Sequence, residues 1–296
     1  MLRRSLIVAF AALALAGAAS SHTTAAFPVT IHAANGDVVI SKRPVRIVSL
    51  SPSATEDLFA AGAGKQVVAV DEDSDYPKQA PKTKLSGFQP NAEAVAGYNP
   101  DLVIVSNDGG IVAQLQKLGI AVLLEPAADT IAQAYDQIRQ LGAATGHASG
   151  ATKVVRGMQR KLTALIRSVP KSRRHLRVFH ELSPDFYSAT SATFIGRVYK
   201  LFGFSNIADG AANTNTDFPQ LSAEYVVSAN PQIVVLADSV CCGTTAATVA
   251  ARPGWSELAA VTQHRVVAVD DSIASRWGPR LVDFVAAVAR VARANG

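Results

Sequence analysis

The sequence predicts an α/β protein of two lobes, each a mostly parallel sheet with flanking helices, the two joined by one long helix. Three observations carry this. Short unbroken apolar runs alternate with amphipathic segments, the pattern of parallel strands covered on both faces. The stretch 129–168 instead keeps helical spacing almost throughout. One phrase is also written twice: AEAVAGYNPDLVIV starts at Ala92 and AEYVVSANPQIVVL at Ala223, 131 residues on.

The first residues read as an address. Arg3 and Arg4 precede the apolar run LIVAFAALALAGAA, and Ala16-Gly17-Ala18 offers a small-residue cleavage site. The run is shorter than the roughly 18–20 residues that span a bilayer. Residues 1–18 are therefore expected to be a cleaved signal peptide, followed by a polar leader over 19–42. The only cysteines are Cys241 and Cys242, so no signal-peptide cysteine is present to carry lipid, and the expected location is a periplasm. Loss of Arg3 and Arg4 takes the formal charge from +5 to +3. With no Lys/Arg block, that charge gives no reason to expect a nucleic-acid partner. Export also argues against chemistry that depends on ATP or NAD.

The first lobe, 43–145, opens on the strand RIVSL. SPSATEDLFAAGAG follows, where Ser53 or Thr55 caps a helix carrying Leu58 and Phe59, and Gly62 and Gly64 end it. QVVAV is the next strand and runs into the acidic loop DEDSDYP. A helix near 92–97, the strand DLVIV, a helix over 110–118 and the strand AVLLE complete the series. Apolar spacing from Ile131 through Ile166 is interrupted only by GHASG. Residues 146–170 are assigned to the linker, whose helix over 151–168 would be about 27 Å long at 1.5 Å per residue. The second lobe, 171–296, repeats strand and helix through RVFHEL, IVVLA and RVVAVD, ending in a helix from Pro279 to Ala294.

Aligned on glutamate, the repeat pairs Glu93 with Glu224, Val95 with Val226 and Asn99-Pro100 with Asn230-Pro231. It reads as a helix, an Asn-Pro stop and an immediate strand. Twin lobes with a cleft between them suit capture of a small molecule, because each strand's C-terminal end feeds a loop toward that cleft. As a pair, Glu93 and Glu224 offer one carboxylate per lobe to two arginines of a symmetric partner. Aromatic side chains in cleft loops give a flat ligand a rigid apolar surface, and Tyr76, Phe88, Phe186, Tyr187, Phe218 and Trp277 stand in such loops. In SRWGPR, Arg276 or Arg280 could grip oxyanions bidentately; Arg276 is the first choice, the other of the pair being a surface charge.

Other groups are weighed against plain structural roles. DEDSD lacks EF-hand spacing and reads as a loop bonding its own backbone. The histidines are scattered, and only His180 sits at a cleft-facing strand end. No metal site is therefore expected, and any iron or cobalt should arrive already chelated. Adjacent Cys241 and Cys242 admit a vicinal disulfide turn, two thiols or a soft-metal contact, with the disulfide turn ranked first. Gly62, Gly64 and Lys65 miss the phosphate-loop spacing. A hydrolase built on Ser51, His180 and Asp271 is specified by no motif, so the expectation is no enzyme and no cofactor.

RIVSLSPSATEDLFAAGAG, DSDYP, FQPNAEAVAGYNPDLVIV, FPQLSAEYVVSANPQIVVL and RPGWSELAAVTQHRVVAVDD together resemble the periplasmic solute-binding proteins of ABC importers for cobalamin and ferric siderophores, the class III type with a helical backbone. The likeness spans almost all of the chain beyond the leader. It implies two Rossmann-like lobes, a metal chelate held between them, a monomer, and delivery to a permease dimer in the inner membrane. Glu93 and Glu224 stand where the family carries its permease-docking glutamates. Tyr76, Phe88 and Phe218 stand where cobalamin binders place rings over the corrin, with phenylalanine at 88 and 218 where the best-matching cobalamin binder has tryptophan. Cobalamin or another corrinoid is the ligand the resemblance favours; a ferric siderophore or haem is the alternative.

Overall fold

A computed structural model describes residues 27–211 and 216–294. The segment read as a signal peptide, and the leader up to residue 26, lie outside the described residues.

Residues 29–40, read from sequence as leader, are instead folded. Strands β1 (Val29–Ala33) and β2 (Gly36–Ile40) form an antiparallel hairpin. The turn is Ala34-Asn35, and Gly36, which opens β2 opposite Ala33, stands at φ +99°, a conformation open to glycine and costly for most residues. Ile31 and Ile40 are buried in the first lobe. The Asn35 amide donates to the Val122 carbonyl at 2.9 Å and accepts from Leu124 N at 3.0 Å, which pins the hairpin to the neighbouring sheet.

That sheet comprises β3 (Ile47–Leu50), β4 (Val67–Val70), β5 (Leu102–Val105) and β6 (Ala121–Leu124), all parallel, in the order β4-β3-β5-β6. Helices α1 (Pro52–Ala61), α2 (Ala92–Ala96), α3 (Ile111–Lys117) and α4 (Ile131–Ala144) cover it. Every residue of β3 and β5 is buried, as expected of a strand with helices on both faces. Ser51 caps α1 by accepting from Ala54 N, where the sequence offered Ser53 or Thr55.

The long helix α5 (Ala148–Ser168) has 21 residues. It begins three residues earlier than the periodicity predicted and runs about 31 Å. Ala151, Val155, Met158 and Leu162 recur at helical spacing and form its buried stripe. The stripe packs against α1 and α4 on one side and the last helix of the chain on the other. Gly150 permits the approach to α1, since a Cβ there would lie 2.0 Å from the Ala61 carbonyl oxygen.

Beyond it come β7 (Arg177–Glu181), α6 (Phe194–Phe202), β8 (Ser205–Asn206), α7 (Ala223–Ala229), β9 (Ile233–Leu236), α8 (Ser239–Cys242), α9 (Ala246–Ala250), α10 (Ala259–Thr262), β10 (Val266–Ala268), α11 (Asp271–Ser275) and α12 (Leu281–Arg293). The second sheet is again parallel, ordered β10-β9-β7-β8. Read from the other edge it is β8-β7-β9-β10, the same permutation as β4-β3-β5-β6. The lobes therefore share topology as well as sequence. Among the described residues no helix is long and apolar enough to cross a membrane.

Candidate functional site

The repeat is a structural device. Asn91 and Ser222 cap α2 and α7, accepting from Ala94 N and Tyr225 N, and each helix carries its glutamate in the first turn, where the helix dipole favours a carboxylate. Glu93 and Glu224 are both exposed. Each helix runs into an asparagine in the left-handed region, Asn99 at φ 48° and Asn230 at φ 44°. An arginine fork then takes up the freed carbonyls. Arg46 donates to Tyr98 O and Asn99 O at 2.6 and 3.0 Å, and Arg177 to Ala229 O and Asn230 O at 2.9 Å each. Arg46 and Arg177 are also 131 residues apart. The sequence reading missed them, although the same offset marks them.

The loops at the strand ends hold the rings. On the first lobe, Asp71 bridges Leu85, and Gly87 lies so close to Asp71 that a Cβ would meet its Oδ2 at 2.4 Å. The segments carrying Tyr76 and Phe88 are thereby tied together. On the second lobe, Tyr187 bridges Gln220 and Ser188 N donates to Pro219 O at 2.9 Å, tying Tyr187 to the segment of Phe218. Four of the large apolar side chains left exposed among the described residues are aromatic, and these are Tyr76, Phe88, Tyr187 and Phe218. Phe88 is the most open at 78 %.

Other nominated residues are placed differently. Phe186, at φ 65°, stacks on Trp255 with ring centroids 5.5 Å apart instead of facing outward beside Tyr187. Arg252 lies over both rings and forks onto the buried Glu181 carboxylate at 2.6 Å through each nitrogen. Phe186, Arg252 and Trp255 share a cavity of about 490 Å³ with Glu224 and Val227. His180 is sealed in the core, its Nδ1 2.6 Å from the Tyr199 hydroxyl, and burial pushes its pKa down to about 3. It therefore cannot reach an axial position of a chelate. Ser51 caps a helix and Asp271 binds backbone N–H groups of α8, so neither meets His180 and no hydrolase triad forms.

Arg276 is not free for a ligand oxyanion, nor is Arg280 a surface charge. Both are spent across the lobes, because their forks converge on Glu56 of α1, only 2 % exposed. Arg280 bonds both Glu56 oxygens at 2.6 and 3.0 Å; Arg276 reaches Glu56 at 3.1 Å, Asp75 at 2.7 Å and the Asp73 carbonyl at 2.9 Å. The acidic loop thus bonds its own backbone and also receives the opposite lobe. Gly278 brings this strap against α1, with Asp57 Oδ1 3.3 Å from where a Cβ would stand. Trp277, between them, is half-buried. Arg280 also lies 4.3 Å over the Tyr76 ring, and both line a junction cavity of about 490 Å³ with Phe59, Lys153 and Met158.

Cys241 and Cys242 are free, exposed thiols and not the disulfide turn expected. They lie in a regular helical turn, whereas bridging adjacent cysteines needs a distorted one. A hydrogen bond with Cys242, then burial and the Asp271 carboxylate, push the Cys241 thiol up to about 12. Among the described residues no group of three or more His, Cys, Asp or Glu side chains is arranged to hold a metal ion.

The first lobe also hides acids without cations. Asp57 and Glu125 each keep a buried carboxylate oxygen with no partner. Burial pushes Glu125 up to about 7. Burial, then the charges of Glu56 and Glu125, hold Asp57 well above the ordinary carboxylate range.

Residues 47–273 match the model of the family described as periplasmic binding protein. The chain belongs to that family. As a periplasmic binding protein it captures a solute instead of transforming one, and it is not an enzyme. Among its relatives, an uncharacterized ABC transporter substrate-binding lipoprotein (YvrC) of Bacillus subtilis is 36% identical, the match covering 88% of this chain and 84% of that one. A cobalamin-binding protein of Halobacterium salinarum is 33% identical over 92% and 76% of the two chains. The solved structure of a possible iron-binding periplasmic solute-binding protein from Staphylococcus epidermidis superimposes with a TM-score of 0.72 at 27% identity, covering 85% of this chain and all of that one.

Proposed function

We propose that this periplasmic binding protein is exported to the periplasm as a monomer, where it captures a corrinoid, cobalamin first, between its lobes and delivers it to the permease dimer of an ABC importer. The observation that carries the reading is the set of four exposed rings, two on tethered loops of each lobe. Aromatic faces left in water lose little rotamer entropy on binding and match a broad flat macrocycle. The cobalamin-binding relative supports the same ligand class. Trp277, half-buried between Arg276 and Arg280, is kept as a ligand contact in this reading, while Phe186 and Arg276 serve the fold.

Delivery falls to Glu93 and Glu224. One exposed acid at equivalent places on each lobe matches a partner with one arginine on each of two like subunits. The substrate-binding lipoprotein of Bacillus subtilis supports an importer partner. A ferric siderophore or haem is the second reading, favoured by the likeness to the Staphylococcus epidermidis structure.

Titration of the purified protein with cobalamin, a ferric siderophore and haem, followed by intrinsic fluorescence and visible absorbance, tests this. Stoichiometric binding without turnover is expected for one of them, cobalamin first. Failure of all three to bind below about 10 μM, near −7 kcal/mol, would end the reading.

A further inference from the structure

Capture and delivery as described leave Cys241 and Cys242 unused. Their helix α8 begins just after the C-terminal end of β9, an interior strand of the second sheet, on the side where the strands feed the cleft loops. It is held there from its own lobe: the Asp271 carboxylate accepts from Val240 N and Cys241 N at 3.1 and 2.9 Å, and Ser239 Oγ donates to the Val269 carbonyl at 2.6 Å. Asp271 opens α11, five residues or about 7.5 Å long at 1.5 Å each. Arg276 ends α11 and crosses to Glu56 and Asp75 of the other lobe. The thiols therefore share one short shelf with the side chain that spans the gap. Val240 beside them is 72 % exposed and both cysteines are exposed, so the protein leaves this corner of the shelf uncovered.

A thiol is a soft donor for a transition metal, and a coordinated metal removes its proton. The described histidines offer no competing ligand here. His180 is sealed, His32 lies on the β1–β2 hairpin, His147 heads α5, and His175 and His264 precede β7 and β10, at the opposite strand ends. Of the two exposed phenols, Tyr76 is stacked under Arg280.

We propose that the Cys241–Cys242 pair supplies a thiolate ligand to the metal at the centre of the captured macrocycle. This rests on the corrinoid reading above. For a cob(III)alamin with water at its axial position the step is ligand exchange: the Co–O bond to water breaks, a Co–S bond forms, the thiol proton and the water pass to solvent, and no electron moves. A cobalamin whose axial position is held by cyanide is not expected to exchange.

The test uses the full chain with its thiols kept reduced, titrated with aquacobalamin and with cyanocobalamin while absorbance and intrinsic fluorescence are followed. Wild type should turn bound aquacobalamin into the spectrum of a thiolate-ligated cobalamin. The C241S/C242S double variant should keep the aqua spectrum and bind aquacobalamin at least tenfold more weakly. Both proteins should bind cyanocobalamin within twofold of each other, which shows that the variant is folded, and the single variants identify the sulfur. Binding of aquacobalamin to wild type with its spectrum unchanged, or the same spectral change in the double variant, would overturn the inference and leave the corrinoid reading standing. If neither cobalamin binds, the corrinoid reading falls and haemin becomes the probe. A thiolate-ligated haem spectrum lost in the double variant would then uphold thiolate ligation, and its absence from wild type would overturn it.

Discussion

The two Asn-Pro units are the same device in different surroundings. In both, a polar residue caps a short helix, an exposed glutamate sits in its first turn, and an arginine fork holds the carbonyls around the asparagine. Yet in the second unit Glu224 borders a cavity walled by Phe186, Arg252 and Trp255. Buried acids at other strand ends differ too: Glu181, which ends β7, has Arg252 as a bidentate partner, whereas Glu125, just after β6, has an orphaned oxygen. Duplication has kept what satisfies the backbone and let side chains at the strand ends diverge. Those ends are where ligand and partner are met.

Charge reversal at both glutamates should have the largest effect. E93K/E224K is expected to abolish uptake in cells while cobalamin affinity stays within twofold. Uptake that survives, or affinity that falls, would break the equivalence of the two acids. Next comes Arg252→Leu, which strands the buried Glu181 carboxylate and should cost about 3–5 kcal/mol in urea unfolding. A loss under about 1 kcal/mol, the ceiling for an exposed pair, would show that Arg252 is not holding a buried charge.

The first lobe should respond in the opposite direction. The Glu125 carboxyl has a folded pKa of about 7 against an ordinary 4.5. The folded state therefore holds a proton that the unfolded chain releases first, and the stability this gives is present below pH 4.5 and lost as pH rises through 7. Glu125→Gln should raise stability at pH 8 by on the order of 3 kcal/mol and change it little at pH 4. Thermal unfolding at the two pH values measures this, and an equal shift at both would contradict it. Smallest of all, Arg46→Ala and Arg177→Ala should each cost about 1 kcal/mol and match within about half of that, as equivalent forks on equivalent carbonyls. Unequal losses would show that the duplicated units are no longer energetically alike.

The duplicated lobes and the long helix are legible from sequence because apolar periodicity and an Asn-Pro stop are local signals. The exposed rings and glutamates are legible for the same reason, as each sits at a recognisable strand end or helix start. The hairpin over 29–40 carried the Asn35-Gly36 pair of its turn and β2 start in plain view, but polar neighbours made the segment read as leader. The Glu56 junction is different in kind: its partners Arg276 and Arg280 are 220 and 224 residues away. No window of sequence contains both ends of that contact, so Arg276 looked available to a ligand. Phe186 and Tyr187 were equally plausible as cleft rings. Trp255 and the positive φ at Phe186 separate them, turning one ring inward and leaving its neighbour out.

Under the proposed function, exposed rings from both lobes clasp one flat chelate. Equilibrium titration of cobalamin against wild type, F88A, Y187A and the F88A/Y187A pair tests it most directly. One site per chain is expected, with a loss of about 1–2 kcal/mol for each ring, roughly five- to thirty-fold in Kd, and a larger loss for the pair. Cobalamin binding that is unchanged when rings of both lobes are removed would contradict it.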